Sequence, residues 1–385
     1  MPFEAIIGHD YIKKHLQKSL LNGRIPHAQL FLAPQGTGAL PMAIAYAQQL
    51  LCFKNTSDGL VENTSCTLKF SKLTHPDLHF AFPVTTTDKI KKHPFSDHFI
   101  NEWRAFVLDN PYGDVFDWLQ FLGVENKQGS IAVAEADNIL KKLSLKPYES
   151  PFKVMIIWMA EKMPAQTANK LLKIIEEPPN NTVLILIAEN EGLLLKTIVS
   201  RCQVIRFLPL TEAQISKQLQ TRLLLSEQEA NNIALQAQGS WNKACKLTEQ
   251  DTKELLFEEW LVTWVRAAFR AKGNKQVIND LIIWSTTIAN SGRETQRQFL
   301  SYCLMFFRQA MLLNYNAKDL VYLEPKTANF SLEKFAPFIN AANVMDITKS
   351  IETAMYHIER NANAKIVLLD LSIKLTRLLH QKETV

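Results

Sequence analysis

The octapeptide APQGTGAL, residues 33–40, follows an apolar run and has the spacing of a phosphate-binding loop. In the template G-x-x-x-x-G-K-[ST], backbone N–H groups and a helix N-terminus surround the phosphates. A Lys neutralises the terminal ones, and a Ser or Thr hydroxyl holds magnesium. Laid on this chain, the second glycine is Gly38, but Ala33 stands at the first, Ala39 at the Lys and Leu40 at the hydroxyl. Gly36, Thr37, Gly38, Ala39 and Leu40 therefore keep the turn without the ligands. No Lys or Arg lies between Arg24 and Lys54, so a substitute cation would have to come from elsewhere in the fold or from another chain.

The partner of such a loop is an apolar strand ending in two acids, one for magnesium and one for the attacking water. In VMIIWMAEKM those positions are Trp158 and Met159, and the nearest carboxylate, Glu161, lies three residues past the first. Glu161 reads as an acid entering the next helix, favoured there by the macrodipole. Phosphoryl transfer depends on charge stabilisation, and Lys, hydroxyl and both acids are missing together. Hydrolysis by this chain alone is not expected, and neither is a bound cofactor.

Three apolar runs would position these residues: QLFLA (Gln29 to Ala33), KVMIIWM (Lys153 to Met159) and TVLILIA (Thr182 to Ala188). Each is short, continuous and bounded by turn signals, as strands buried on both faces are. Helical patterns separate them: Ile12, Leu16 and Leu20, then TANKLLKIIEE up to Pro178 and Pro179. The class is α/β, helices covering a parallel sheet. Residues Asp77 to Gln128 break the pattern and are rich in aromatics. They read as an inserted helical subregion with its own small core, or alternatively as a platform that stacks bases or docks a partner.

Past RCQVIRFLPL the strands end. Thr211 with Gln214 and Ser226 with Glu229 have capping-box spacing, which predicts two short helices ending near Gly239. From about Leu255 the pattern is helical, with Ile358, Ala362, Ile366, Leu369 and Ile373 on one face of a long final helix, as core or as an oligomer interface. The expected domains are 1–208 with an insertion over about 78–128, a helical lid over 209–252 and an all-α domain over 253–385.

At 385 residues and 47% hydrophobic, the chain can build several cores. No apolar run spans a bilayer, and MPFEAIIGHD has neither the basic nor the apolar region of a leader, so a cytoplasmic protein is expected. A net charge of +5 permits a nucleic-acid partner without arguing for one. Five scattered cysteines suggest reduced thiols rather than a disulfide framework.

IIGHDYIKKHLQKSLLNGRIPHAQLFLAPQGTG, HPDLHF, ANKLLKIIEEPPNNTVLILIAEN and LLLKTIVSRCQVIRF resemble, in order, the motifs of bacterial clamp-loader subunits of the AAA+ superfamily. The missing Lys and acids make the chain similar to the delta-prime branch of that family, and HIERNANAKIVLLDLSIKL resembles its collar. The resemblance implies a RecA-like AAA+ domain, a lid and a collar, in a ring that uses ATP to open a sliding clamp and place it on primed DNA. It implies gamma/tau-like and delta-like partners, with ATP and Mg in the neighbouring subunits. Ser200, Arg201 and Cys202 match the family's Ser-Arg-Cys motif, so Arg201 is expected to act in trans as an arginine finger, a role that suits a planar, always-charged guanidinium.

The chain departs from the family in two further places. Many relatives bind zinc through four cysteines before the His-Pro-Asp triplet. Only Cys52 and Cys66 precede His75, Pro76 and Asp77 here, so no metal is expected, a mixed site of Cys52, Cys66, His75 and His79 being the alternative. In GSWNKA, Asn242 stands where active relatives place an ATP-sensing Arg. Two rival functions remain open: an ATPase with unorthodox ligands, and a pure interaction protein on an AAA+ scaffold.

Overall fold

The structure, a computed structural model, describes residues 2–56, 59–124, 126–248, 252–271, 277–323, 325–327 and 329–381. The chain divides into two units, Met1–Thr248 and Glu249–Val385.

The first unit opens with α1 (Asp10–Leu21), which buries Ile12, Leu16 and Leu20. Strand β1 (Ala28–Leu32) and the loop after it lead into α2 (Ala39–Cys52). A hairpin of β2 (Phe53–Thr56) and β3 (Gly59–Glu62) precedes α3 (Thr64–Ser71) and strand β4 (Leu78–Ala81). Helices α4 (Ile100–Asp109), α5 (Val115–Phe121) and α6 (Val133–Ser144) lead to β5 (Lys153–Trp158), α7 (Ala165–Glu176), β6 (Thr182–Ala188), the short α8 (Lys196–Val199) and β7 (Gln203–Arg206). Helices α9 (Glu212–Leu223), α10 (Glu227–Ala237) and α11 (Trp241–Thr248) complete the unit. Both capping boxes form, Thr211 with Gln214 on α9 and Ser226 with Glu229 on α10.

The sheet has the order β4-β5-β6-β1-β7, with every pairing parallel. Strands β5 and β6 are buried throughout, which is why they read as unbroken apolar runs. Lys153 is the exception. Its ammonium donates to the carbonyls of Leu143, at 2.7 Å, and Leu145, closing the C-terminal end of α6.

The inserted region differs from expectation in two ways. Leu78–Ala81 is the edge strand β4, too short and too interrupted by His79 to show a run. The aromatics after it form no separate core. Trp103 stacks on Phe82 at 4.1 Å and meets Trp158 at 5.0 Å, so Phe82, Phe99, Trp103, Phe106 and Trp118 join the core under β5 and α2. Trp103 and Trp118 are fully buried, which corrects the stacking-platform alternative for those rings.

The cysteine expectation also needs correction. Cys52, closing α2, and Cys66, in α3, are disulfide-bonded with their Cα atoms 5.3 Å apart. The packing of those two helices creates this proximity, and sequence spacing does not reveal it.

The second unit consists of α12 (Thr252–Arg270), α13 (Val277–Ala289), α14 (Arg293–Asn314), the single turn α15 (Leu332–Phe335), α16 (Val344–Glu359) and α17 (Ala364–Leu378). Its core includes Trp264 stacked on Trp284 at 4.8 Å. The single final helix is two: Asn361 takes a left-handed φ of 67° and Asn363 caps α17 by accepting from the Ile366 N–H. Ile366 and Ile373 are consequently exposed rather than in line with buried Ile358. Among the described residues no helix is long and apolar enough to cross a membrane.

Candidate functional site

Strand β1 delivers the chain into the loop 33–38 at the C-terminal edge of the sheet. Gly36 (φ 72°) and Gly38 (φ 103°) both adopt backbone that favours glycine, and Gly38 opens α2. Thr37 closes the turn through its hydroxyl, which donates to the Pro34 carbonyl at 2.7 Å. The Thr37 carbonyl in turn lies 2.8 Å from Nε2 of His9, whose burial lowers its pKa. The strand-to-helix geometry of a phosphate-binding loop is therefore present.

Its chemistry points elsewhere. Ala39 and Leu40 are buried in the main core with Ala33. Trp158 ends β5 packed on Trp103 and Phe106, and Met159 follows it buried, in left-handed backbone (φ 58°). The recess over the loop is about 30 Å³, a water-sized space, lined by the loop itself, Pro111, Tyr112, Gly113, Trp158, Met159, Ile187 and Glu189. No Lys or Arg lines it, so the substitute cation sought in the sequence is absent from this wall.

Glu161 is not on the following helix. It sits in a 3-10 turn, Ala160–Lys162, and its Oε1 accepts from the Glu189 N–H at 2.9 Å, tying the ends of β5 and β6 together. Burial pushes its carboxyl above the ordinary range, partly offset by that hydrogen bond.

Asn242 belongs to α11. Its Nδ2 donates to Asp117 Oδ2 at 2.7 Å and to Asp114 Oδ2 at 3.2 Å. Lys246, one turn further on, pairs with the same carboxylates at 2.9 Å (Asp114) and 2.6 Å (Asp117). Sequence reasoning missed Tyr112, Asp114, Asp117 and Lys246. The available signal was the spacing of Asp114 and Asp117, which form a capping box on α5.

Ser200, Arg201 and Cys202 lie in the turn between α8 and β7, and none of them lines the recess. Arg201 Nε donates to Glu176 Oε2 at 2.7 Å and its guanidinium also reaches the Thr197 carbonyl at 3.1 Å. The side chain keeps about a third of its surface open. The Ser200 hydroxyl donates to the Thr197 carbonyl at 3.3 Å. Burial raises the Cys202 thiol to about 11, which leaves it protonated and unreactive at neutral pH.

Of the four mixed-site residues, Cys52, Cys66 and His75 come together, with potential ligand atoms within 4.8 Å, and His79 is not in the group. The two sulfurs are joined to each other, and both ring nitrogens of His75 have partners: Nδ1 accepts from the Asp77 N–H at 3.2 Å and Nε2 lies 3.3 Å from Ser150 Oγ. Asp77 organises the adjacent loop, accepting from the N–H groups of Tyr148, Glu149 and Ser150 at 2.6, 2.8 and 2.9 Å.

A parallel sheet whose strand β1 turns through glycines into α2, followed by a small helical module, defines the α/β phosphate-loop class, to which AAA+ proteins belong. The family described as DNA polymerase III, delta subunit, matches residues 8–211, and the chain belongs to that family as a delta-prime-like clamp-loader protein. It is 29% identical over 208 residues to DNA polymerase III subunit delta′ of Bacillus subtilis, covering 54% of this chain and 50% of that one. It is 26% identical over 254 residues to DNA polymerase III subunit tau of the same organism, covering 64% and 37%. A solved DNA polymerase III gamma subunit-related protein from Thermotoga maritima aligns with 96% of this chain and 99% of its own, at 12% identity and a TM-score of 0.38. The chain spans about half the length of the delta′ relatives it matches.

Proposed function

We propose that this chain is a non-hydrolysing, cytoplasmic subunit of a DNA polymerase III clamp loader, bracing the assembly and giving Arg201 to a neighbouring subunit's ATP site. The observation that carries this reading is the contrast between two edges of the first unit. At the loop, every position that should hold a phosphate or magnesium ligand is an apolar side chain packed inward. In the turn before β7, a guanidinium stands partly open at the surface, fixed by one carboxylate and one carbonyl. A trans-acting Arg needs that accessibility, and it works by neutralising charge that develops on a transferring phosphoryl group. ATP and Mg would then lie in gamma/tau-like neighbours, and the sliding clamp and primed DNA would be met through the complex.

The test is Arg201→Ala in the complex assembled with gamma/tau-like and delta-like subunits. ATP turnover at the one site that Arg201 serves should fall by roughly 10³-fold, lowering total turnover by that site's share and clamp loading with it, while assembly by gel filtration is unchanged. Undiminished turnover would sink the finger role. The likeness to tau leaves open a second reading, an ATPase with unorthodox ligands. Turnover by the isolated chain that Glu161→Gln abolishes would support it.

A further inference from the structure

The loop approaches its neighbours more closely than a turn needs to. A Cβ at Gly36 would collide with Ser240 Oγ, and one at Gly38 would lie 2.8 Å from Tyr112 Cε1. Ser240 precedes α11, and Tyr112 belongs to the link between α4 and α5. Glycine at both positions therefore admits protein where a phosphate-binding loop admits a ligand.

Three kinds of contact meet there. The Trp241 N–H donates to the Gly36 carbonyl at 2.9 Å, fixing the start of α11 to the loop. The Tyr112 hydroxyl accepts from the Ile7 N–H at 2.9 Å, and its ring faces Trp241 edge-on. Asp114 and Asp117, brought side by side by their capping box, then receive Asn242 and Lys246 of α11. Two carboxylates so close repel unless a cation is between them, so the insertion favours one position of α11, the one that places Lys246 there. Burial opposes the charge on Lys246, yet the two carboxylates hold its pKa above the ordinary lysine value.

We infer that residues Tyr112, Asp114 and Asp117 of the insertion latch the helical module α9–α11 against the loop, so that its orientation does not respond to nucleotide. A ligand can shift a conformational equilibrium only by contacting the two states differently. Here the contacts joining loop and module are supplied by the chain itself, in the place where a nucleotide would have to supply them. The inserted aromatic region thus does two jobs, filling the core with Trp103 and Trp118 and bolting α11 with the segment that joins α4 to α5.

The inference concerns this chain's own lid and does not depend on Arg201 serving a neighbour. The test is backbone hydrogen exchange on the full chain, with millimolar Mg-ATP as the probe ligand. In wild-type protein, protection of residues 240–248 should be the same with and without Mg-ATP. Lys246→Met should raise exchange there roughly tenfold, as a local opening, while 182–188 in β6 stays protected. Lys246→Arg should restore wild-type protection, because a guanidinium can pair with both carboxylates. Asn242→Ala, a second variant should Lys246→Met unfold the chain, should give a smaller rise in the same segment. Unchanged protection at 240–248 in both Lys246→Met and Asn242→Ala would overturn the latch, as would a clear response of the wild-type segment to Mg-ATP. The Arg201 experiment reads turnover by the assembled complex, so either result can fail without the other.

Discussion

Glu176 and Arg201 are joined across 25 residues of chain, carboxylate to guanidinium at 2.7 Å, where the last turn of α7 meets the turn after α8. Glu176 keeps about half of its side chain open and Arg201 about a third, so solvent screens the pair and it contributes less than about 1 kcal/mol to stability. Its consequence is orientation: Arg201 leaves the surface in one direction.

Glu176→Gln should therefore leave the urea unfolding midpoint of the chain nearly unchanged. In the assembled complex it should lower kcat for ATP by about two- to tenfold with KM unmoved, as loss of transition-state positioning does. A change in KM alone would assign Glu176 a binding role instead.

Asp77 is the opposite case, a buried carboxylate whose partners are three backbone N–H groups. Asp77→Ala strands all three, and unfolding free energy by urea titration should drop by about 3 kcal/mol or more. Asp77→Asn keeps one acceptor oxygen and should cost less.

Gly38→Ala meets two obstacles, the left-handed backbone and the Tyr112 ring. A loss of about 2 kcal/mol is expected. In a Tyr112→Ala background the steric part disappears and the backbone part remains, so the double variant should lose less than the sum of the two single losses. An additive cycle would mean that the ring does not press on the loop.

His79 carries the clearest pH dependence. Burial first, then Lys142 and Lys153 nearby, lower its pKa from 6.5 to about 4. A base depressed in the folded state stays neutral there while the unfolded chain already binds a proton, so its contribution is complete above pH 6.5 and is lost as pH falls from 6.5 towards 4. Stability measured over that range should fall less steeply in His79→Asn. A titration of the His79 ring by NMR should show no midpoint above pH 5.

Local periodicity made the runs at β1, β5 and β6 readable, because strands buried on both faces leave no polar gaps. The capping boxes at Thr211 and Ser226 were readable because a cap is decided within four residues. Strand β4 was hidden because an edge strand of four residues containing His79 has no pattern of its own. The Cys52–Cys66 bond and the pairing of Asp114 and Asp117 with Lys246 were hidden for another reason: they are made by packing between elements 14 to 132 residues apart. The break before α17 was missed since Ile358 and Ile366 share a helical spacing that the turn at Asn361 interrupts. At the loop the missing ligands were evident from residue types, but what fills their place was not.

The position of β1 within the sheet bears on how the protein is made. It hydrogen-bonds on one side to β6 and on the other to β7, so Ala28 faces Leu184 and Leu32 faces Arg206. This interior strand thus leaves the ribosome before every other strand and finds its neighbours last, after about ten to forty seconds at typical synthesis rates. During that interval the apolar β1 and α2 have no sheet to cover them, so nascent chains stalled before residue 206 are expected to be protease-sensitive and to be bound by chaperones.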